Sequence, residues 1–131
     1  MQNILHHVGC LVDNIEQALM DYLILFPEGK QSDIYHITDQ KVKVCFLEVS
    51  NSVYIEFVES TDPESTLVKM KKKGTNFYHV GIYVNNFDEE LLRLEAQGYR
   101  KINEFHSEAF HGKRCSFLYN NELHLIELIE R

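Results

Sequence analysis

One stretch of this chain is written twice, and that duplication constrains the fold more than any other feature. His7-Val8-Gly9-Cys10-Leu11-Val12-Asp13-Asn14-Ile15 recurs as His79-Val80-Gly81-Ile82-Tyr83-Val84-Asn85-Asn86-Phe87. Ile55-Glu56-Phe57-Val58-Glu59 recurs as Ile126-Glu127-Leu128-Ile129-Glu130. The offsets are 72 (79 minus 7) and 71 (127 minus 56), so both pairs belong to one duplication. A stacked solenoid needs at least about three copies to bury a continuous core, so two copies predict a pair of half-domains. Each half offers one His and one Glu at matching places. Two imidazoles and two carboxylates brought together outline a divalent-metal site.

The length of 131 residues suits one domain, or two small modules sharing a core. A chain of this size buries roughly 68% of its unfolded surface, enough for a stable interior without staples. With 44% hydrophobic and 25% charged residues the composition is ordinary for a globular protein. A net charge of -7 argues against nucleic acid as a partner, because phosphate binding needs a concentrated basic face. The local exception, Lys69-Met70-Lys71-Lys72-Lys73, reads either as the solvated positive end of a helix or as an attractor for substrate phosphates.

The three cysteines, Cys10, Cys45 and Cys115, form no CxxC pair and read as small buried thiols of a reducing compartment. The stretch Met1–His7 lacks the basic and long apolar regions of a signal peptide. No apolar run approaches the roughly 18 residues that span a membrane. A cytoplasmic protein without a membrane partner is the expectation.

Residues 4–12 alternate, with Val8, Cys10 and Val12 on one face and His7, Gly9 and Leu11 on the other, which predicts a strand lying under a helix. Asp13 and Asn14 offer capping oxygens, and Ile15, Leu19, Tyr22, Leu23 and Phe26 fall at helical spacing until Pro27. Strands are predicted at about Ile34–Thr38, Lys41–Val49 and Ser52–Glu59. The second half repeats the order: a strand at about Tyr78–Val84, a helix capped by Asn86 and ended near Gly98, then strands at about Tyr99–Phe105, Lys113–Leu118 and Leu123–Ile129. Between the halves, Asp62-Pro63-Glu64 reads as an N-cap, a first-turn proline and an acidic start for a helix running to about Lys73. The fold class expected is α+β, with module one over about 1–60, a connecting helix over about 62–74 and module two over about 75–131.

Strand alternation puts His7 with Gly9 and His79 with Gly81, away from the branched apolar face. Glu56 and Glu127 each sit between two large apolar residues that must face the other way. A carboxylate buried without a partner costs several kcal/mol, so a cation is expected beside each. A single His is usually a satisfied core or surface group, which is the reading for His6, His36, His106 and His124. His7, Glu56, His79 and Glu127 differ because all four recur at matched positions. A two-imidazole, two-carboxylate set suits Zn, Ni, Co, Mn or Fe.

The His-Val-Gly start and Ile-Glu end of each half, with the strand–helix–three-strand order between them, resemble the vicinal oxygen chelate superfamily, which includes glyoxalase I and methylmalonyl-CoA epimerase. The resemblance implies two βαβββ modules forming a curved, incompletely closed mixed sheet around a metal site. His7, Glu56, His79 and Glu127 then stand at the ligand positions. The connector, Asp62-Pro63-Glu64-Ser65-Thr66-Leu67-Val68-Lys69, and the late stretch His111-Gly112-Lys113 are most similar to the methylmalonyl-CoA epimerases. By that resemblance the chain is an isomerase that abstracts a proton next to a metal-bound carbonyl, on a small-molecule substrate such as a CoA thioester, and forms a homodimer. Glu127 is the implied base, with Lys43 or Glu48 as the second acid–base group; those two lie on opposite faces of their strand, so at most one points inward. Ser65, His111, Lys113 and Arg114 are the implied substrate contacts. Two alternatives stand beside this one: a glyoxalase I-type lyase acting on a thiol–aldehyde adduct, and a non-catalytic binding or resistance protein.

Overall fold

The structure, a computed structural model, describes residues 2–131. It has the α+β architecture expected, with ten strands and three α-helices among the described residues. Two compact units are present: one comprises His7–Tyr78, the other the residues up to His6 together with His79–Arg131. Among the described residues, no helix is long and apolar enough to cross a membrane.

In the His7–Tyr78 unit, strand β1 (Ile4–Leu11) leads into helix α1 (Ile15–Leu25). Asn14 caps the helix with its side chain, accepting from the Gln17 amide at 2.9 Å, and the chain leaves it at Phe26, before Pro27. Two short strands, β2 (Lys30–Gln31) and β3 (Tyr35–Ile37), both run antiparallel to the long strand β4 (Val42–Ser50). Strand β5 (Val53–Ser60) pairs antiparallel with β4 and parallel with β1, giving the order β2-β4-β5-β1. One face of this sheet carries Cys10, Cys45, Leu47 and Phe57 against Ile15 and Leu19 of α1, a closed hydrophobic cluster.

The other unit repeats the plan. Helix α3 (Phe87–Ala96) follows strand β6 (Phe77–Val84), and Asn86 caps it by accepting from the Glu89 amide. Strands β7 (Arg100–Lys101) and β8 (Phe105–Ser107) line the edge of β9 (Lys113–Asn120), and β10 (His124–Glu130) lies between β9 and β6. Val84, Leu118, Ile126 and Leu128 pack against Phe87 and Leu91 of α3.

Two expectations need correction. The strand expected at Ile34–Thr38 is present as β3, with an unexpected short strand, β2, before it, whereas the single strand expected at Tyr99–Phe105 is broken in two, so each unit's edge consists of two short pieces. In the first, the Ser32 hydroxyl takes the Phe46 amide at 2.9 Å; in the second, the Asn103 side-chain oxygen takes the Phe117 amide at 3.0 Å. A side-chain oxygen thus fills a ladder position that a main-chain carbonyl normally holds, and the edge strand is interrupted there. The connecting helix α2 (Thr66–Lys72) also begins later than predicted. Asp62 closes a turn by accepting from the Glu64 amide, and Ser65 is the cap, accepting from the Leu67 amide at 3.1 Å. The short polar side chain nearer the helix wins the role because Asp62 is already engaged.

Phe57 is fully buried at the centre of the α1 cluster, and its ring meets Tyr22 at 5.1 Å. Phe57→Ala should therefore lower the unfolding free energy by about 3–5 kcal/mol, measured by urea titration of the metal-free chain.

Candidate functional site

Each unit holds one buried imidazole–carboxylate pair. In the His7–Tyr78 unit, β1 and β5 run parallel in a register that sets Gly9 opposite Glu56 and His7 opposite Tyr54. Because side chains alternate along a strand, Glu56 points to the face opposite Phe57, the face of His7 and Gly9. Gly9 presents no side chain beside the carboxylate. His7 is 1% exposed and Glu56 5%. The His7 Nε2 lies 3.4 Å from the Glu56 Oε1. Cross-strand from Glu56 is Phe46, whose ring stands edge-on to His7 at 5.5 Å and 63°.

The second unit builds the same pair from different strands. β10 runs parallel to β6 with Glu127 opposite Gly81 and Leu125 opposite His79. His79 is 5% exposed and Glu127 4%. Their nearest atoms, Nε2 and Oε1, are 3.5 Å apart. Phe117 is the cross-strand partner of Glu127 and meets the His79 ring at 5.3 Å and 86°.

These separations suit shared ligation better than a direct charge-assisted hydrogen bond, which closes to about 2.7–2.9 Å. Two donors each about 2.1 Å from an ion are about 3.0 Å apart at a right angle and about 3.4 Å apart at the tetrahedral angle. The donor chemistry fits a divalent ion as well: neutral imidazole nitrogens and carboxylate oxygens, buried where a negative charge needs a counter-charge.

The other candidates fall in different places. Lys43 faces the α1 side of β4, opposite Glu59, and its Nζ lies 3.2 Å from the Glu59 Oε2. Glu59 also accepts the Ile15 amide at the start of α1. Glu48 is on the face of Glu56, cross-strand from Tyr54, and takes the Ser52 amide at 3.0 Å where the hairpin turns. Ser65 caps α2. His111 holds a left-handed conformation (φ 58) at the end of a 3-10 turn, next to Gly112 (φ 80), and is exposed. Lys113 is exposed on the Glu127 face of β9. Arg114 is on the helix-packed face: it forks onto Asp88 at 2.9 and 3.1 Å, reaches Glu130 at 3.2 Å, and covers the Phe87 ring at 4.7 Å. In the basic run, Lys69, Lys71 and Lys72 occupy the last turn of α2, and Lys71 pairs with Asp13 at 3.8 Å. All three cysteines are buried thiols outside any disulfide, and burial pushes the Cys10 and Cys45 thiols above their ordinary range, as inert core groups require.

Phe46 and Phe117 are site neighbours that sequence reasoning passed over. Their signal was present: each precedes a Leu and stands ten residues before its glutamate (56 minus 46, 127 minus 117). Register alone turns that spacing into contact.

A family model described as the glyoxalase/bleomycin resistance protein/dioxygenase superfamily matches residues 6–119. The chain belongs to that superfamily. Among solved structures, a hypothetical protein from Bacillus halodurans superposes with a TM-score of 0.86 at 26% identity, over 100% of this chain and 96% of that one. Methylmalonyl-CoA epimerase from Mycobacterium tuberculosis gives 0.83 at 24%, over 96% and 86%. A variant of Streptomyces coelicolor methylmalonyl-CoA epimerase in complex with 2-nitronate-propionyl-CoA gives 0.84 at 18%, over 97% and 93%. No curated protein matches. At such identities the epimerases share the fold, which is the superfamily's.

The Arg114 guanidinium holds Asp88 below its ordinary value through side-chain hydrogen bonds, and Glu130 is held down chiefly by the Arg114 main-chain amide and then by the guanidinium. Groups with a depressed folded-state value stabilise above their unfolded value and lose that contribution as pH falls. Arg114→Met should therefore lower Tm at pH 7, and the deficit should shrink only as the pH falls below the ordinary carboxylate range and through the depressed folded-state values, where both carboxylates become protonated in the wild type as well. Thermal melts across pH check it.

Proposed function

We propose that this chain is a metal-dependent enzyme that moves a proton at the carbon beside a carbonyl, with an acyl-CoA-like thioester as substrate and epimerisation as the outcome. The observation that carries the reading is the twice-built pair: His7, Glu56, His79 and Glu127 are all buried, chemically suited to one divalent ion, and proposed here to hold it together. The structural likeness to methylmalonyl-CoA epimerases over nearly the whole chain supports the substrate class.

His7, Glu56, His79 and Glu127 would hold the ion, which would supply Lewis acidity toward a carbonyl oxygen and so make the neighbouring C–H more acidic. The remaining work falls to the chain. Glu127 takes the proton, since a carboxylate oxygen within hydrogen-bond reach of the carbon is a competent base at neutral pH. Epimerisation needs a second group to return a proton from the opposite side. Of the two candidates on β4, Lys43 is engaged with Glu59 on the helix-packed face, so Glu48 is the one proposed. Phe46 and Phe117 make the surroundings of the carboxylates apolar and exclude water from them. Lys113 and His111, exposed at the start of β9, are the residues proposed to meet the phosphates of the thiol carrier.

Solvent deuterium should wash into the α-position of methylmalonyl-CoA when protein and a divalent ion are both present, followed by mass spectrometry or NMR. Absence of exchange with every acyl-CoA offered, at full metal loading, would overturn the assignment; turnover of a hemithioacetal instead would move it to the lyases.

The two glutamates should also part company. Glu56→Gln and Glu127→Gln each remove a ligand charge and should weaken metal binding. An amide cannot serve as a base, so Glu127→Gln should stay inactive when excess metal restores occupancy, while Glu56→Gln should regain partial activity. Equal recovery in both would show that Glu127 is only a ligand.

A further inference from the structure

The two units agree in more than their metal-ligand residues. Phe46 and Phe117 correspond under the duplication (117 minus 46 is 71), and each is the direct cross-strand partner of a proposed ligand glutamate. Each also stands edge-on to the histidine of its own unit, at 5.5 Å for His7 and 5.3 Å for His79. Each is backed by a further aromatic ring. Tyr54 lies 6.4 Å behind Phe46 at 82°, and Phe105 stacks on Phe117 at 5.7 Å and 25°.

An imidazole turns in a broad torsional well about its last side-chain bond, so burial by itself does not decide which nitrogen faces an ion. A tilted aromatic partner at this distance narrows that well, because the ring quadrupoles favour an edge-to-face arrangement. In both units the nitrogen nearest the glutamate is Nε2. An aryl ring cross-strand from a carboxylate also denies it water, which strengthens its attraction for a cation.

We propose that Phe46 and Phe117 are positioning residues: their rings lock the His7 and His79 imidazoles with Nε2 toward the ion and keep the Glu56 and Glu127 carboxylates dry. The proposal rests on the metal reading above and extends it to residues that touch neither ion nor substrate. The control is Phe57, one residue from Glu56 but on the opposite face, buried against α1.

Cobalt(II) titration of the full chain reads both affinity and geometry, through chelator competition and the visible absorption band. Phe46→Leu and Phe117→Leu should each raise the Co(II) dissociation constant by about tenfold or more, as loss of ligand-orienting neighbours does, and should alter the absorption band. Phe57→Leu should lower the Tm of the metal-free chain while leaving the dissociation constant within about twofold of wild type and the band unchanged. If a Leu variant does not fold, Phe46→Met or Phe117→Met at the same position carries the comparison. Wild-type binding with an unaltered constant and band in a folded variant removes the positioning role of that residue and leaves the metal site standing. A wild-type chain that binds no divalent ion overturns both readings.

Discussion

Burying a carboxylate beside hydrophobic neighbours costs several kcal/mol unless a positive charge meets it, and this chain does so twice at equivalent places. Everything else about the sheet follows from making that tolerable. Each strand has to divide its side chains strictly between two faces, one packed by a helix and one carrying the polar pair. Glu56 and Phe57 are adjacent in sequence, yet one belongs to a carboxylate site and the other to a hydrophobic cluster. A slip of one residue in the β4–β5 register would exchange them, burying the carboxylate under α1 and exposing the ring. The fully buried Phe57, Leu47 and Cys45 therefore guard the register on which the site depends.

The duplication has kept some devices and altered others. Lys43 and Arg114 are equivalent (114 minus 43 is 71), as are Glu59 and Glu130 (130 minus 59 is 71), and both pairs lie on the helix-packed face. In the first unit the Lys–Glu pair is tied to the helix through the Ile15 amide, which Glu59 accepts. In the second, the planar guanidinium of Arg114 bridges Asp88 in the first turn of α3 to Glu130 on the sheet. Both anchor a helix start to a strand end, so these cations serve the framework in both halves. Ser32 and Asn103 show the same economy, since each replaces a ladder carbonyl with a side-chain oxygen at matching points of the edge strands.

A fold built from two similar units offers a site whose ligands come in pairs, and chemistry at that site is then set by what surrounds the pairs. Here the surroundings are aromatic on each unit's carboxylate face, with Phe46 and Tyr54 in one and Phe117 and Phe105 in the other. Lys113 and His111 are exposed at the start of β9.

Much of this was legible in the chain. The duplication announced two units, the alternation of His7-Val8-Gly9 and Ile55-Glu56-Phe57 announced which residues share a face, and Asn14 and Asn86 announced where two helices begin. All of these are local patterns, written within a few residues by the pitch of a strand or the open amides of a helix end. Register between strands is not local. That Lys43 turns toward Glu59, that Glu48 shares the face of Glu56, and that Phe46 and Phe117 stand beside the histidines depends on which residue of β4 meets which of β5, and of β9 which of β10. Ser65 displaced Asp62 as the cap of α2 for a similar reason, because Asp62 was already engaged in the turn before it. The sequence by itself determined the faces and the kinds of group on them; the tertiary structure decided their partners, because a contact across strands is chosen by the packing of whole sheets rather than by neighbours along the chain.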